Sequence, residues 1–315
     1  MKFQTVTGPI PVGDVALADG HAHLWIQPDD GVSPEARLEL NRYDAIRAEL
    51  DDFRAAGGTT LVDCQPGGTG RDANMLVKLA RATGLHVTAT TGFHLQKYYP
   101  PGSWLWSASA EEAAAFFVEE LMVGMRETEG DIRATTIKVG YDGEIDGQAR
   151  VLLEAAAEAS RQTGALILFH TERGRNVEAL LPFFSDRGVS PRRLYLCHVD
   201  KRPDAGLHRE LAQAGVLLGY DTFVRPQYEP ERGAWSLVKA LVAGGLDEHI
   251  AVCLDLAIAA MWRHYGGQPG MLFLPEQIVP RLYAEGISES TVQKLTGTNI
   301  ARRLVWQTPA NQEKK

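Results

Sequence analysis

Cysteine is scarce in this chain: Cys64, Cys197 and Cys253 are the only three in 315 residues. An odd, sparse count does not build a disulfide framework, and it points to a reducing, cytoplasmic compartment. The CxxC spacing of a structural zinc site is absent as well, so the three thiols read as small core residues. No run of 18 apolar residues occurs, which argues against a membrane-spanning helix. Basic residues are in the minority. Lys plus Arg number 32 against 40 Asp plus Glu, a formal net charge of −8, and a nucleic-acid partner, which would call for a basic face, is not expected. The opening segment MKFQTVTGPIPVG lacks the apolar stretch of a secretion signal. Low-complexity tracts, fixed-period repeats and Pro/Ser-rich linkers are also missing, so a single domain is expected over residues 1–308, with 309–315 as a disordered tail.

What is present is an ordinary globular composition, 44% apolar and 23% charged, enough for a large core at this length. Eight short runs are almost uniformly apolar: Val15–Ala18, Thr60–Asp63, Val87–Gly92, Thr135–Val139, Leu166–Phe169, Leu194–Cys197, Val216–Gly219 and Ile250–Leu254. Strands covered on both faces, as in a parallel sheet, have this character. Helical patterns separate most of them, at Tyr43–Ala56, Ala110–Arg126, Gln148–Thr163, Asp204–Ala214 and Trp235–Val242, several stopped by glycine. Strand–helix alternation repeated in this way predicts a (β/α)8 barrel, a TIM barrel of the α/β class. A doubly wound open sheet is the runner-up, but the first run leads into His21-Ala22-His23 rather than into a Gly-rich phosphate loop.

The ends of these runs carry the chemistry. The first leads to His21 and His23, the fourth holds Lys138, the fifth ends at His170, the sixth at His198 and the eighth at Asp255. In a barrel the C-terminal strand ends converge on one face. Residues i and i+2 of a strand share a side, so His21 and His23 project together and can grip one cation with Asp255. His170 and His198 can grip a second. Lys138 is the odd member, since an ammonium ligates nothing. An unprotonated lysine can instead add CO2, and the resulting carbamate can bridge two metals. Any one of these residues alone would read as a packing or capping residue. Distant in sequence yet gathered at five strand ends, they predict a binuclear metal site at the C-terminal end of the barrel. His86, His208, His249 and His264 lie away from these ends and are read as surface or packing residues.

These motifs resemble the phosphotriesterase-related branch of the amidohydrolase superfamily, on its lactonase-like side, over nearly the whole chain. The resemblance is carried by His21-Ala22-His23, Ile137-Lys138-Val139-Gly140, Cys197-His198-Val199-Asp200, Leu218-Gly219-Tyr220-Asp221-Thr222, Trp262–Gly267 and Gly297–Arg302. It implies a metal-dependent hydrolase that opens a lactone or related carboxylic ester by attack of a metal-bridging hydroxide. The alternative is phosphotriester or phosphodiester hydrolysis on the same centre. A non-catalytic metal-binding barrel is a further alternative, disfavoured because no ligand is missing. A one-metal amidohydrolase is set aside because such relatives usually lack the bridging lysine.

By the same resemblance His21, His23 and Asp255 hold the more buried metal, His170 and His198 the more exposed one, and carboxylated Lys138 bridges them. The metals are zinc first, with Mn, Co or Fe able to use the same donors. Asp255 moves the proton to the leaving group with His198 assisting, and Asp200 either contacts substrate or orients a ligand histidine. Arg225 occupies the place of a basic substrate-binding residue after the seventh strand. His94 and Tyr98 are expected to line the pocket, with Trp104 or Trp106 beside them. Ile258 stands where relatives that take phosphorylated sugar lactones carry an arginine. The resemblance further suggests a homodimer acting on a small molecule.

Overall fold

The computed structural model describes residues 1–306; Gln307, Thr308 and the expected tail at 309–315 lie outside the described residues. The chain opens on an antiparallel hairpin of β1 (Lys2–Thr5) and β2 (Gly8–Pro11). The barrel strands follow: β3 (Ala18–Ala22), β4 (Thr60–Asp63), a third strand in two pieces, β5 (His86–Thr88) and β6 (Thr90–Gly92), then β7 (Thr136–Tyr141), β8 (Leu166–Thr171), β9 (Leu194–Cys197), β10 (Leu217–Tyr220) and β11 (Ile250–Val252). Every neighbouring pair among these is parallel, in ladders β3-β4-β5 and β6-β7-β8-β9-β10-β11. Ala89 interrupts the third strand, yet its carbonyl still accepts the Thr135 N–H at 2.8 Å, so the sheet runs on through the break. The seam between last and first strand is closed by the Asp255 N–H on the His21 carbonyl (3.1 Å) and the Leu254 N–H on the Asp19 carboxylate (3.2 Å). The fold is thus the expected (β/α)8 barrel.

The first barrel strand starts at Ala18, later than the apolar run at Val15 suggested. Its sequence, Ala-Asp-Gly-His-Ala, is polar and still fully buried, because the Asp19 carboxylate takes up the His21 and Leu254 N–H groups. Gly92, at φ +98°, lets the third strand press against β7, where a Cβ would overlap the Lys138 carbonyl.

Around the strands lie α1 (Tyr43–Ala55), α2 (Ala73–Thr83), α3 (Ala110–Met122), α4 (Gly147–Thr163), α5 (Leu180–Ser185), α6 (Ala205–Ala214), α7 (Ser236–Ala243) and three short helices, α8 (Val279–Ala284), α9 (Glu289–Gln293) and α10 (Asn299–Leu304). Asp72 and Asp204 cap α2 and α6 by accepting from Met75 and Leu207, and Ser109 with Glu112 forms a full capping box on α3. None of these helices is long and apolar enough to cross a membrane. One apolar layer fills the annulus between strands and helices. A second fills the barrel interior, where Val62, Leu168, Tyr195, Cys64 and Cys197 pack above a plug of Phe3, Ile300 and Leu304, and the buried Cys253 thiol lies 3.3 Å from the Tyr195 hydroxyl. Arg193 fastens the chain's end to that plug by donating to the Gly164, Arg303 and Val305 carbonyls.

α3 stops at Met122, short of the expected Arg126, and the chain turns back to bring Glu127 against Arg71. That guanidinium, buried with Glu120, holds both carboxylates at 2.6 Å and donates to the Thr90 carbonyl. Arg71→Ala would leave Glu120 charged in the core without a partner. A loss of about 3–5 kcal/mol is expected, read as a lower urea midpoint at unchanged m value; a loss under about 1 kcal/mol would mean that the pair does not anchor this face.

Candidate metal centre

Five strand ends deliver the ligand set. His21 lies in β3 and His23 just past it, with ring centroids 5.3 Å apart. Lys138 is central in β7 and His170 lies near the end of β8. His198 and Asp255 follow β9 and β11 in left-handed backbone, at φ +64° and +51°. A non-glycine residue in that region is strained, and such strain collects where a side chain must be aimed precisely. The His21, His23 and Asp255 donor atoms all lie within 4.8 Å of one another. Asp255 Oδ1 is 3.7 Å from His21 Nε2 and 3.6 Å from His23 Nε2. On the other side, His170 Nδ1 faces His198 Nε2 at 3.0 Å.

Each imidazole has a side-chain oxygen near its rear nitrogen, hydrogen-bonded to it at His23 and His198 and merely close to it at His21 and His170. His23 Nδ1 pairs with Gln65 Oε1 (2.9 Å), and Gln65 is itself pinned by donation to Thr69 Oγ1 (2.8 Å). His198 Nδ1 meets Asp221 Oδ1 (2.8 Å), and His21 Nδ1 lies 3.4 Å from Asp221 Oδ2. His170 Nε2 lies 3.5 Å from Glu172 Oε2. A proton held at the rear nitrogen leaves the front nitrogen bare and turned to the centre. Burial lowers the basicity of all four rings, taking His23 down to about 4, which favours the neutral form that binds metals. His198 Nε2 and His170 Nδ1, 3.0 Å apart, share one proton in a hydrogen bond, and a cation held by both rings would take that proton's place. Lys138 is fully buried, with Nζ 3.4 Å from His21 Nε2. Among the described residues it has no carboxylate within ion-pair distance. An unpaired buried ammonium is costly, whereas a carbamate beside two cations is compensated. The donor set fits a pair of divalent cations bridged by a carboxylated lysine.

A cavity of about 210 Å³ opens over these residues. His94 and Tyr98 line it as expected, their rings 4.4 Å apart, with His94 4.7 Å from the His170 ring. Arg225 also reaches the wall, but its guanidinium is spent on Asp255, 2.5 Å from Oδ2 and 2.6 Å from the backbone oxygen. Asp200 is placed elsewhere than expected. It is fully buried, and its Oδ2 accepts from the Asp221 and Thr222 N–H groups and the Thr222 hydroxyl, so it shapes the turn after β10 and touches no ligand histidine. Trp106 packs edge-on against Phe93 and Tyr99, and Trp104, 44% exposed, against Phe116, both outside the cavity.

The model of the phosphotriesterase family matches residues 1–304. The chain belongs to that family. As a phosphotriesterase-family protein it is an enzyme, a hydrolase. It is 30% identical to a phospho-furanose lactonase of Mycoplasmopsis synoviae, over 98% of this chain and 94% of that one. It is also 30% identical to an N-acetyltaurine hydrolase of Bos taurus, over 93% and 95%. An amidohydrolase from Mycoplasma synoviae superposes with a TM-score of 0.90 at 28% identity, covering 99% of this chain and 97% of that one. A lactonase from Listeria monocytogenes shares the fold at a TM-score of 0.91 and 23% identity, with 98% and 100% covered.

Residues of this phosphotriesterase-family site that the sequence reading did not single out are Gln65, Asp221, Glu172 and Lys201. Three of them stand just past or within strand ends. Asp221 and Gln65 were discoverable by asking which acceptors the same barrel face turns toward the histidines. Gln65→Leu should free the His23 ring and weaken divalent-metal binding by roughly 10–100-fold, measured by competition with a chromophoric chelator. Unchanged affinity would show that packing alone orients His23.

Proposed function

We propose that this chain hydrolyses a lactone or related carboxylic ester at a binuclear metal centre. The observation that carries the reading is the convergence of four buried imidazoles, two of them hydrogen-bonded from behind, on one buried lysine and one carboxylate. When bound, two divalent cations supply a hydroxide at neutral pH and fixed positive charge for the oxygen that becomes anionic in the transition state. His21 and His23 with Asp255 would hold one cation, and His170 and His198 the other, with zinc the first choice for these donors. Lys138, after its ammonium gives up one proton, would add CO2 with formation of an N–C bond and loss of a second proton. A buried cation is thereby exchanged for a bridging anion.

The rest of the chemistry falls to the protein's own groups. Asp255 turns Oδ1 to the His21–His23 pair and Oδ2 to Arg225, at the cavity wall. It is placed to carry a proton from the attacking oxygen to the leaving oxygen. Ile26, Val32, Leu38 and Ile258 give the cavity an apolar flank that excludes water around the scissile group. The relatives named N-acetyltaurine hydrolase support amide cleavage on the same groups as a second reading. A panel of lactones, aryl esters, N-acyl amino acids and aryl phosphates, ranked by kcat/KM, separates lactone, amide and phosphotriester hydrolysis.

Purified protein reconstituted with zinc and bicarbonate should hold about two metals per chain and hydrolyse a lactone. Reconstitution without CO2 should fall short of that content, and Lys138→Met should lose activity by orders of magnitude. Full loading of Lys138→Met would exclude the carbamate bridge, and a metal-loaded enzyme inert on every lactone and ester would overturn the substrate class.

A further inference from the structure

Two cationic side chains line the cavity, Arg225 and Lys201. They are not equivalent. Arg225 is locked to the Asp255 carboxylate and backbone oxygen. Lys201 ends the short turn Val199–Lys201 that follows His198, and it is half-buried. Among the described residues no carboxylate comes within 4.0 Å of its Nζ. Its nearest aromatic neighbour is Tyr228, whose ring centroid lies 5.0 Å away. Glu172 is turned to His170, 3.5 Å from its Nε2. The positive charge of Lys201 reaches His170 and His198, so the group stands within electrostatic range of the reacting centre. Glu172, Asp200 and Asp221 feel its charge from farther off, but a half-buried ammonium on a cavity wall with no carboxylate in contact attracts an anion from outside.

We infer that Lys201 is a specificity-determining residue that binds an anionic oxygen group of the substrate, such as a phosphate, sulfonate or carboxylate carried next to the scissile bond. The inference rests on the hydrolase reading above and assigns the substrate anion to Lys201, while Arg225 acts on Asp255. The left-handed turn at His198 links the two functions. It aims the His198 ring at the centre and brings Lys201 round to the wall within three residues. The same cavity is also lined by the apolar side chains of Ile26, Val32, Leu38 and Ile258. A substrate with its charge at one end and its carbon skeleton at the other would have one orientation available in which both are accommodated.

The test compares wild type, Lys201→Gln and Lys201→Arg, each reconstituted with zinc and bicarbonate, on matched lactones that differ only in bearing a phosphate, a sulfonate, a carboxylate or a hydroxymethyl group. The wild type should prefer at least one anionic member over the neutral one by tenfold or more. Lys201→Gln should lose that preference through a 10- to 100-fold rise in KM with kcat and the neutral substrate within about twofold, and Lys201→Arg should restore it. These magnitudes correspond to one charge-assisted hydrogen bond. Equal losses on charged and neutral substrates, or a preference that survives Lys201→Gln, would overturn the assignment. Calorimetric binding of propyl phosphate and propanesulfonate separates this inference from the hydrolase reading. If the metal-loaded wild type turns over none of the lactones, that reading fails on its own, while tenfold weaker binding of either anion by Lys201→Gln still supports the anion site. Equal binding by the two proteins would overturn it.

Discussion

A carboxylate buried at the mouth of a barrel must be satisfied by the N–H groups around it, and in this chain that demand fastens one strand end to the next. Asp19 takes the His21 and Leu254 N–H groups across the seam. Asp63 takes those of Leu24 and Gln65, Asp200 those of Asp221 and Thr222, and Asp221 that of His198 together with its ring. Each bond replaces a ladder contact that ends where the strand ends. The mouth therefore holds its shape where regular sheet structure has run out, and the ligand histidines inherit that rigidity because they are interleaved with these aspartates in sequence. Four buried acids cost desolvation: burial raises Asp19 and Asp63 to about 7 and pushes Asp221 well up, helped by Asp200 and Asp255. Cations at the centre would offset this cost, so the acids that frame the site also favour its loading.

Much of this was legible in the residues. Buried parallel strands announce themselves as apolar runs, and ligands at strand ends announce themselves by position, so the barrel and the six converging side chains followed from periodicity and chemistry. β3 was misplaced because its burial is bought by hydrogen bonds rather than by apolar side chains, which no hydropathy pattern reports. Gln65 and Asp221 went unassigned because an acceptor behind a histidine is recognised only once the ring's orientation is known. The roles of Arg225 and Lys201 depend on which acid each side chain reaches, and that is settled by the turns after β9 and β10. Asp200 illustrates the same point: its type and position suit a substrate contact or an orienter of a ligand histidine, but the turn it stabilises takes up its one bonded oxygen.

The division of labour follows from where rigidity is needed. The metal-facing atoms are held by strand ends and buried acids, and they can serve many substrates unchanged. The cavity wall is built from the segments after the strands, including Tyr98, Lys201, Arg225 and Ile258. Substitution there alters what fits without disturbing the reacting centre, in keeping with relatives of this length and similarity that bear the names of different hydrolases.

The seam between β11 and β3 has a consequence for the order of synthesis. The bond from Leu254 to Asp19 spans 235 residues. His21 and His23 are therefore made more than 200 residues before Asp255. The segment that closes the seam on Asp19 and His21 is also the one that brings Asp255 to the two histidines. The full three-donor set is therefore assembled only when the last strand joins the first.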